Sequence, residues 1–393
     1  MIKWVKINGR RQGNAEILLY LCPDWTQSNF NPMHRYPDDA GLRKAGLDNG
    51  TSIYELESDG LLNHYYILSS EGTRHLMASP EVVGFDSYIS MAPATCAGLN
   101  LLKSKGLTGQ TNILTILRGG LNYPLEECCH KTGVRVGSIN FVSCERIIRD
   151  GVITGLDIKY EKLHPVKDCI LMIGDIIASG DTMRLCLAKV AERFKAYGGS
   201  LRKIIFFTIG GTKAIDIMEK MTGMFRSMWP GFEGFECFFY EGIFSVYENF
   251  GVTGVNTPDI DFGWQDGIIS PEFRSHVLND ANAIFEKCII YDGGARRYEI
   301  SAHYDEVLDY WNSLLEAAPA SDFNAFIAEK IGYGFPIDYA CWLQATRLGG
   351  IEGAEKLYEK EQEFIFKARR RRLEDICRTR INEFSERMKS YKQ

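Results

Sequence analysis

The stretch Cys169–Thr182, CILMIGDIIASGDT, constrains this chain more than any other. Cys169–Ile173 is apolar at every position, without the polar alternation of a half-exposed strand. Such a run reads as a parallel strand buried on both faces. It delivers Asp175 to a turn of small residues, Ala178-Ser179-Gly180-Asp181-Thr182. Beyond the turn, Leu185, Leu187, Val190 and Phe194 suit a helix over Thr182–Tyr197. A helix N-terminus offers unpaired N–H groups to an anion, and its dipole adds about 0.3–1 kcal/mol at an exposed site. The stretch can therefore hold a sugar phosphate, with Asp175 on the hydroxyls and Ser179–Thr182 on the phosphate. The same residues also suit a plain turn in which Asp175 or Ser179 caps the helix.

Two more apolar strands end in glycine-rich turns. Asn112–Leu117 runs into Arg118-Gly119-Gly120, and Ile204–Ile209 into Gly210-Gly211-Thr212-Lys213. Glycine permits close backbone approach, and a guanidinium binds phosphate bidentately. An Arg-Gly-Gly turn also occurs with no ligand, and Lys213 also suits a solvated turn. Helix-like runs at Ser90–Leu102, Leu121–Lys131 and Thr182–Tyr197 alternate with these strands. That alternation predicts an α/β fold, a parallel sheet flanked by helices. Ligands of such sheets bind at the carboxyl ends of the strands, so the three turns are expected to line one crevice. Val134–Val142 reads as a strand, Cys144–Ile153 as a polar turn, and Thr154–Leu163 as an extended arm pairing back. Val255–Gly267 reads as a loop.

We divide the 393 residues into a small N-terminal α+β module (1–78), a central domain (79–270) and a helical C-terminal region (271–393). The last contains a break around Gly332–Pro336 and a long charged helix from Glu355. The net charge of −6 argues against general nucleic-acid binding, which needs a basic footprint. No apolar run approaches the roughly 18–20 residues of a membrane helix, and the N-terminus lacks a signal peptide's apolar segment. The eleven cysteines include no CxxC pair, so reduced thiols in the cytoplasm are expected. Cys128-Cys129-His130 is not a metal cluster in a helix, where adjacent side chains diverge by about 100°; core packing is the reading. Leu373, Cys377, Ile381, Phe384 and Met388 form a helical stripe that packs within the chain or, alternatively, in a homodimer.

With these pieces in order, a resemblance emerges. NILTILRGGL, VRVGSINFV, DIKYEKLHP and CILMIGDIIASGDT together resemble the type I phosphoribosyltransferases, and the uracil phosphoribosyltransferase-like branch most. Asp175 follows Arg118 by 57 residues, with the arm between them. The resemblance implies a type I phosphoribosyltransferase-like sheet and the substrate 5-phosphoribosyl diphosphate (PRPP). It implies that Arg118, Gly119 and Gly120 hold the pyrophosphate, that Asp175 binds the ribose hydroxyls, and that Ala178, Ser179, Gly180, Asp181 and Thr182 bind the 5-phosphate. The arm, with Arg146 or Arg149, would be the flap over the reacting centre. Mg²⁺ would be the cofactor, reached by Asp175 through the bound PRPP.

The departures from the family pattern bear on the acceptor and on turnover. Gly174 stands where the family carries a second acid, and Asp181 where it favours Gly or Lys. Ala178 stands where purine-type members place an acid, which argues against a purine substrate using that base. The Gly-Asp-rich uracil loop is missing, its place taken by Asn256–Trp264, so plain uracil is not the expected acceptor. There, Phe262 or Trp264 could stack on a planar ring, and Asp259 or Asp261 could accept from its N–H groups; a loop packing its aromatics on the core is the other reading. Lys213 could face the acceptor. The function so implied is transfer of a phosphoribosyl group to a nitrogenous heterocycle. A catalytically inactive PRPP- or nucleotide-binding regulatory protein of the same fold is the alternative.

Overall fold

The computed structural model describes residues 40–149, 152–178, 180–247, 255–256, 261–280, 282–286, 288–289, 295–320 and 322–391. The chain opens with β1 (Gly41–Asp48), β2 (Thr51–Glu57) and β3 (His64–Ser69), followed by α1 (Glu71–Ala78), α2 (Phe85–Ile89) and α3 (Ala92–Ser104). Asn49 and Gly50 both take positive φ, 45° and 79°, the requirement of the tight hairpin turn that joins β1 to β2. Next come β4 (Thr111–Leu117), a 3₁₀ turn (Gly119–Asn122) and α4 (Leu125–Thr132). The two long strands β5 (Val136–Arg149) and β6 (Val152–Lys162) lead to β7 (Cys169–Gly174), α5 (Asp181–Ala196), β8 (Leu201–Gly211), α6 (Lys213–Met228) and β9 (Gly234–Tyr247).

These strands form one sheet in the order β1-β2-β3-β9-β8-β7-β4-β5-β6. The middle six, β3 to β5 along that order, pair in parallel, and antiparallel pairs close both edges. β7 is buried at all six positions because it has a parallel neighbour on each side and helices on both faces. The described part of the N-terminal stretch belongs to this sheet, since β3 pairs with β9. Beneath it, Phe207 and Phe238 stack at 4.8 Å, and Gly98 lets α3 approach them closely.

β10 (Val255–Asn256) and β11 (Asp261–Ile269) follow, β11 pairing antiparallel with β9 where a loop was expected. Then come α7 (Pro271–Val277), β12 (Cys288–Ile289), α8 (Ala295–Tyr298), α9 (Ile300–Ala317), α10 (Phe323–Ile331), α11 (Tyr339–Thr346), α12 (Ala354–Ala368) and α13 (Leu373–Tyr391). The expected break falls between α10 and α11. The expected single tail helix is two helices, α12 and α13. Leu373, Cys377 and Phe384 are buried as α13 packs on α9, Phe384 lying 5.8 Å from Tyr304, so the stripe is covered from within the chain. Arg274 on α7 and Glu361 on α12 form a fully buried ion pair. Glu361 also accepts from Tyr333 Oη at 2.6 Å and Trp342 Nε1 at 2.7 Å. Among the described residues, no helix is long and apolar enough to cross a membrane.

Candidate functional site

The strand order reverses between β4 and β7. From β4 the chain proceeds to β5 on one side; from β7 it proceeds to β8 on the other. Crevices open at such switch points, outside the carboxyl ends of the strands. The turns after Leu117 and after Gly174 lie on either side of this one.

They touch. Gly119 begins the 3₁₀ turn, and a Cβ placed on it would lie 2.5 Å from Asp175 Oδ1. Glycine here is a matter of space: any side chain would collide with the carboxylate. A Cβ on Gly120 would likewise crowd the Gly174 carbonyl at 3.2 Å. Arg118 is exposed at the head of the turn, and the peptide bond preceding it is cis. Asp175 is held by its own backbone, its N–H donating to the Phe207 carbonyl at 3.2 Å, while its Oδ1 accepts from Ile176 N at 2.9 Å. The side chain keeps part of its surface at the cleft, yet the packing around it is dense. Desolvation pushes its carboxyl up to about 7, and the Ile176 N–H offsets only part of this.

The small-residue turn before α5 follows. Ile177 bridges to Gly210 on β8, extending the strand past Asp175. Ala178 is half-buried, and Ser179 lies outside the described residues. Gly180 precedes α5 with φ 75°, a left-handed conformation, and a side chain there would collide with Ile217. Asp181 occupies the first turn of α5, where a carboxylate suits the dipole, with its side chain half-exposed and 4.0 Å from Arg184. Thr182 Oγ1 accepts from Arg146 Nε at 2.7 Å. Arg146 comes from the arm, which is one long ribbon: β5 continues through the segment expected to be a turn and pairs with β6 as far as Arg149 opposite Val152. The ribbon is polar because much of it is exposed, and that polarity mimicked a turn in the sequence.

Tyr123 is the site residue that sequence reasoning missed. Its side chain packs directly against Gly174, where a Cβ would collide with the Tyr123 Cβ and ring. Its hydroxyl accepts from Ile209 N at 3.3 Å. The ring thus fills the space into which a second acid at 174 would project. Nothing local in the sequence signals a contact between residues so far apart.

The acceptor-side candidates separate. Lys213 is the first residue of α6, and Thr212 N donates to the Phe244 carbonyl at 2.9 Å to fix that turn. Asp259 lies outside the described residues, and Asp261 opens β11 opposite Tyr247. Phe262 and Trp264 both lie on β11. Phe262 is buried against Phe244, with ring centres 5.9 Å apart. The Arg274 guanidinium lies 4.7 Å from the Trp264 ring centre and covers it. Phe262 is thus taken up by the core, whereas Trp264 is half-buried in the irregular stretch of β11 between Gly263 and Ile268. Cys128 and Cys129 are buried and His130 is exposed; among the described residues, no three metal-ligating side chains cluster.

No protein-family profile matches the chain, and no curated protein does. Solved structures do. A protein from Aquifex aeolicus is 13% identical over 47% of this chain and 84% of its own, with a TM-score of 0.32. A hypoxanthine phosphoribosyltransferase from Staphylococcus aureus is 14% identical over 34% of this chain and 68% of its own, at 0.25. A purine phosphoribosyltransferase from Pyrococcus horikoshii is 20% identical over 30% and 71%, at 0.22.

Proposed function

We propose that this protein is a Mg²⁺-dependent phosphoribosyltransferase. It transfers the 5-phosphoribosyl group of PRPP to a nitrogenous heterocycle other than plain uracil and releases pyrophosphate. The observation that carries the reading is the contact of Gly119 with Asp175 at the switch point. It joins an Arg-Gly-Gly turn to a carboxylate that leads into a helix N-terminus, an arrangement suited to a diphosphate, a ribose and a phosphate in sequence.

In this reading Arg118 and the backbone of Gly119 and Gly120 hold the diphosphate, and Asp175 accepts from the ribose hydroxyls. The backbone of Ala178–Thr182 holds the 5-phosphate. Mg²⁺ would neutralise charge on the diphosphate. A single carboxylate fits that ion, which keeps several waters and takes substrate oxygens as ligands. The C1–N bond forms as the C1–O bond to pyrophosphate breaks. Positive charge grows at C1, and the chain's contribution is to align the reactants and stabilise the leaving group. The β5–β6 ribbon covers the centre and excludes water, Arg146 exchanging Thr182 for a bound anion. Lys213, Asp259, Asp261 and Trp264 remain the acceptor-side candidates.

A second reading, a PRPP-binding regulator without turnover, is favoured by Tyr123 standing where a second acid would project. One experiment separates the two. Titrate the protein with PRPP and Mg²⁺, then screen a panel of nucleobases for pyrophosphate release. Binding with release supports the enzyme, and binding without release supports the regulator. Absence of PRPP binding removes both.

A further inference from the structure

The anion-binding turn after β4 is gripped from outside by the C-terminal region. Arg297, on α8, donates from Nη1 to the Leu121 carbonyl at 2.6 Å. Its guanidinium lies 4.4 Å from the ring centre of Tyr88 and 4.8 Å from that of Tyr298. Such cation–π contacts hold the planar group in one orientation. α8 is itself anchored. Arg296 is buried, donates from Nε to the Val82 carbonyl at 2.6 Å and from Nη2 to the Ser79 carbonyl, and its own carbonyl accepts from Gly84 N at 2.9 Å. Arg297 is thus presented by a backbone stapled to the connection between α1 and α2.

Within the turn, Leu121 N donates to the Arg118 carbonyl at 3.1 Å and Tyr123 N to the Gly120 carbonyl at 3.4 Å. A single 3₁₀ turn has poor hydrogen-bond geometry, and its two glycines carry large backbone freedom. Such a turn gains most from an external hold, and the hold falls on Leu121, directly after Gly119 and Gly120. The turn after β7 is fixed differently, through the bridge of Ile177 to Gly210 on β8 and Gly180 against Ile217. Arg297 therefore bears on one half of the cleft and not the other.

We propose that Arg297 is a positioning residue that holds the Arg118–Gly120 turn in its diphosphate-binding shape through the Leu121 carbonyl. This rests on the phosphoribosyl reading above, and it gives the C-terminal region a part in ligand binding. Lysine can donate to the same carbonyl but lacks the flat face that lies on Tyr88.

The test is titration with inorganic pyrophosphate plus Mg²⁺ and, separately, with ribose 5-phosphate. Arg297→Ala weakens pyrophosphate by about tenfold, the value of one charge-assisted hydrogen bond. It leaves ribose 5-phosphate affinity and the melting temperature close to wild type, and Arg297→Lys recovers part of the loss. Unchanged pyrophosphate affinity in Arg297→Ala overturns the proposal, as does a parallel loss of both ligands. A wild-type protein that binds neither anion overturns the phosphoribosyl reading itself, whereas wild-type binding of both with an unaffected variant overturns this inference alone.

Discussion

Gly119 and Asp175 share one small volume: the carboxylate oxygen stands 2.5 Å from where a side chain at 119 would begin. Gly119→Ala must displace the Asp175 carboxylate. Position 119 does not have a positive φ, so the substitution strains no backbone. PRPP affinity is expected to fall by about tenfold or more with the urea midpoint nearly unchanged. Calorimetry on folded protein checks this, and undiminished affinity would show that the carboxylate does not face the ribose.

Asp175→Asn separates ligand binding from stability. The folded-state carboxyl is raised to about 7, so its ionised form is disfavoured by folding above that pH. A neutral amide of the same shape removes that penalty. At pH 8 the variant should melt no lower than wild type and should bind PRPP far more weakly. A large drop in melting temperature would instead mark Asp175 as a structural cap.

Gly174 and Tyr123 should be energetically coupled. Gly174→Ala overpacks the contact and is expected to destabilise by about 1–3 kcal/mol. Tyr123→Ala opens a cavity and costs about 3–5 kcal/mol, by analogy with other aromatic truncations. The double variant should lose less than the sum, because the ring no longer meets the new methyl, while the Cβ that alanine keeps at 123 still crowds it. Additive losses in urea denaturation would contradict the packing described.

Glu241 governs a pH response of the fold. Fully buried on β9, it accepts from Ser70 N at 3.0 Å, from Thr73 Oγ1 and from Ser270 Oγ at 2.9 Å, tying the starts of α1 and α7. Burial pushes its carboxyl up to about 7, against an ordinary 4.5. Between those values the folded state holds a proton that the unfolded chain has released, so this contribution to stability falls as pH rises from 4.5 to 7. Urea midpoints at pH 5 and pH 8 should show the difference, and Glu241→Gln should reduce it, leaving the share of the same sign that comes from Asp175.

The buried pair of Arg274 and Glu361 predicts a sharp stability loss. Arg274→Ala leaves the Glu361 carboxylate uncompensated, and removing one partner of such a pair costs about 3–5 kcal/mol. It also uncovers Trp264, so its fluorescence should shift to the red as water reaches the ring. A variant as stable as wild type would show that Tyr333 and Trp342 alone satisfy the carboxylate.

The buried strands, the α/β alternation and the turns after β4 and β7 were legible because each depends on neighbours in sequence. β7 is apolar because it is covered on both faces, and α5 begins where Gly180 permits a left-handed turn. The adjacency of Gly119 to Asp175 follows from strand order at the switch point, a rule the alternation already implies. The arm was half legible: an exposed ribbon has no buried face to give it a period, so its outer half read as a turn.

Tertiary structure alone decided the rest. That Tyr123 lies on Gly174, that Arg274 covers Trp264, and that Arg297 grips Leu121 are contacts between residues distant along the chain. Local pattern reports whether a side chain is apolar or charged and which face of its element it occupies. It carries no record of the partner that folding brings to that face. The sequence determined that one acid, Asp175, follows a glycine at the end of a buried strand; only the packing decided that Tyr123 backs that glycine, that Phe262 enters the core and that Arg274 lies over Trp264.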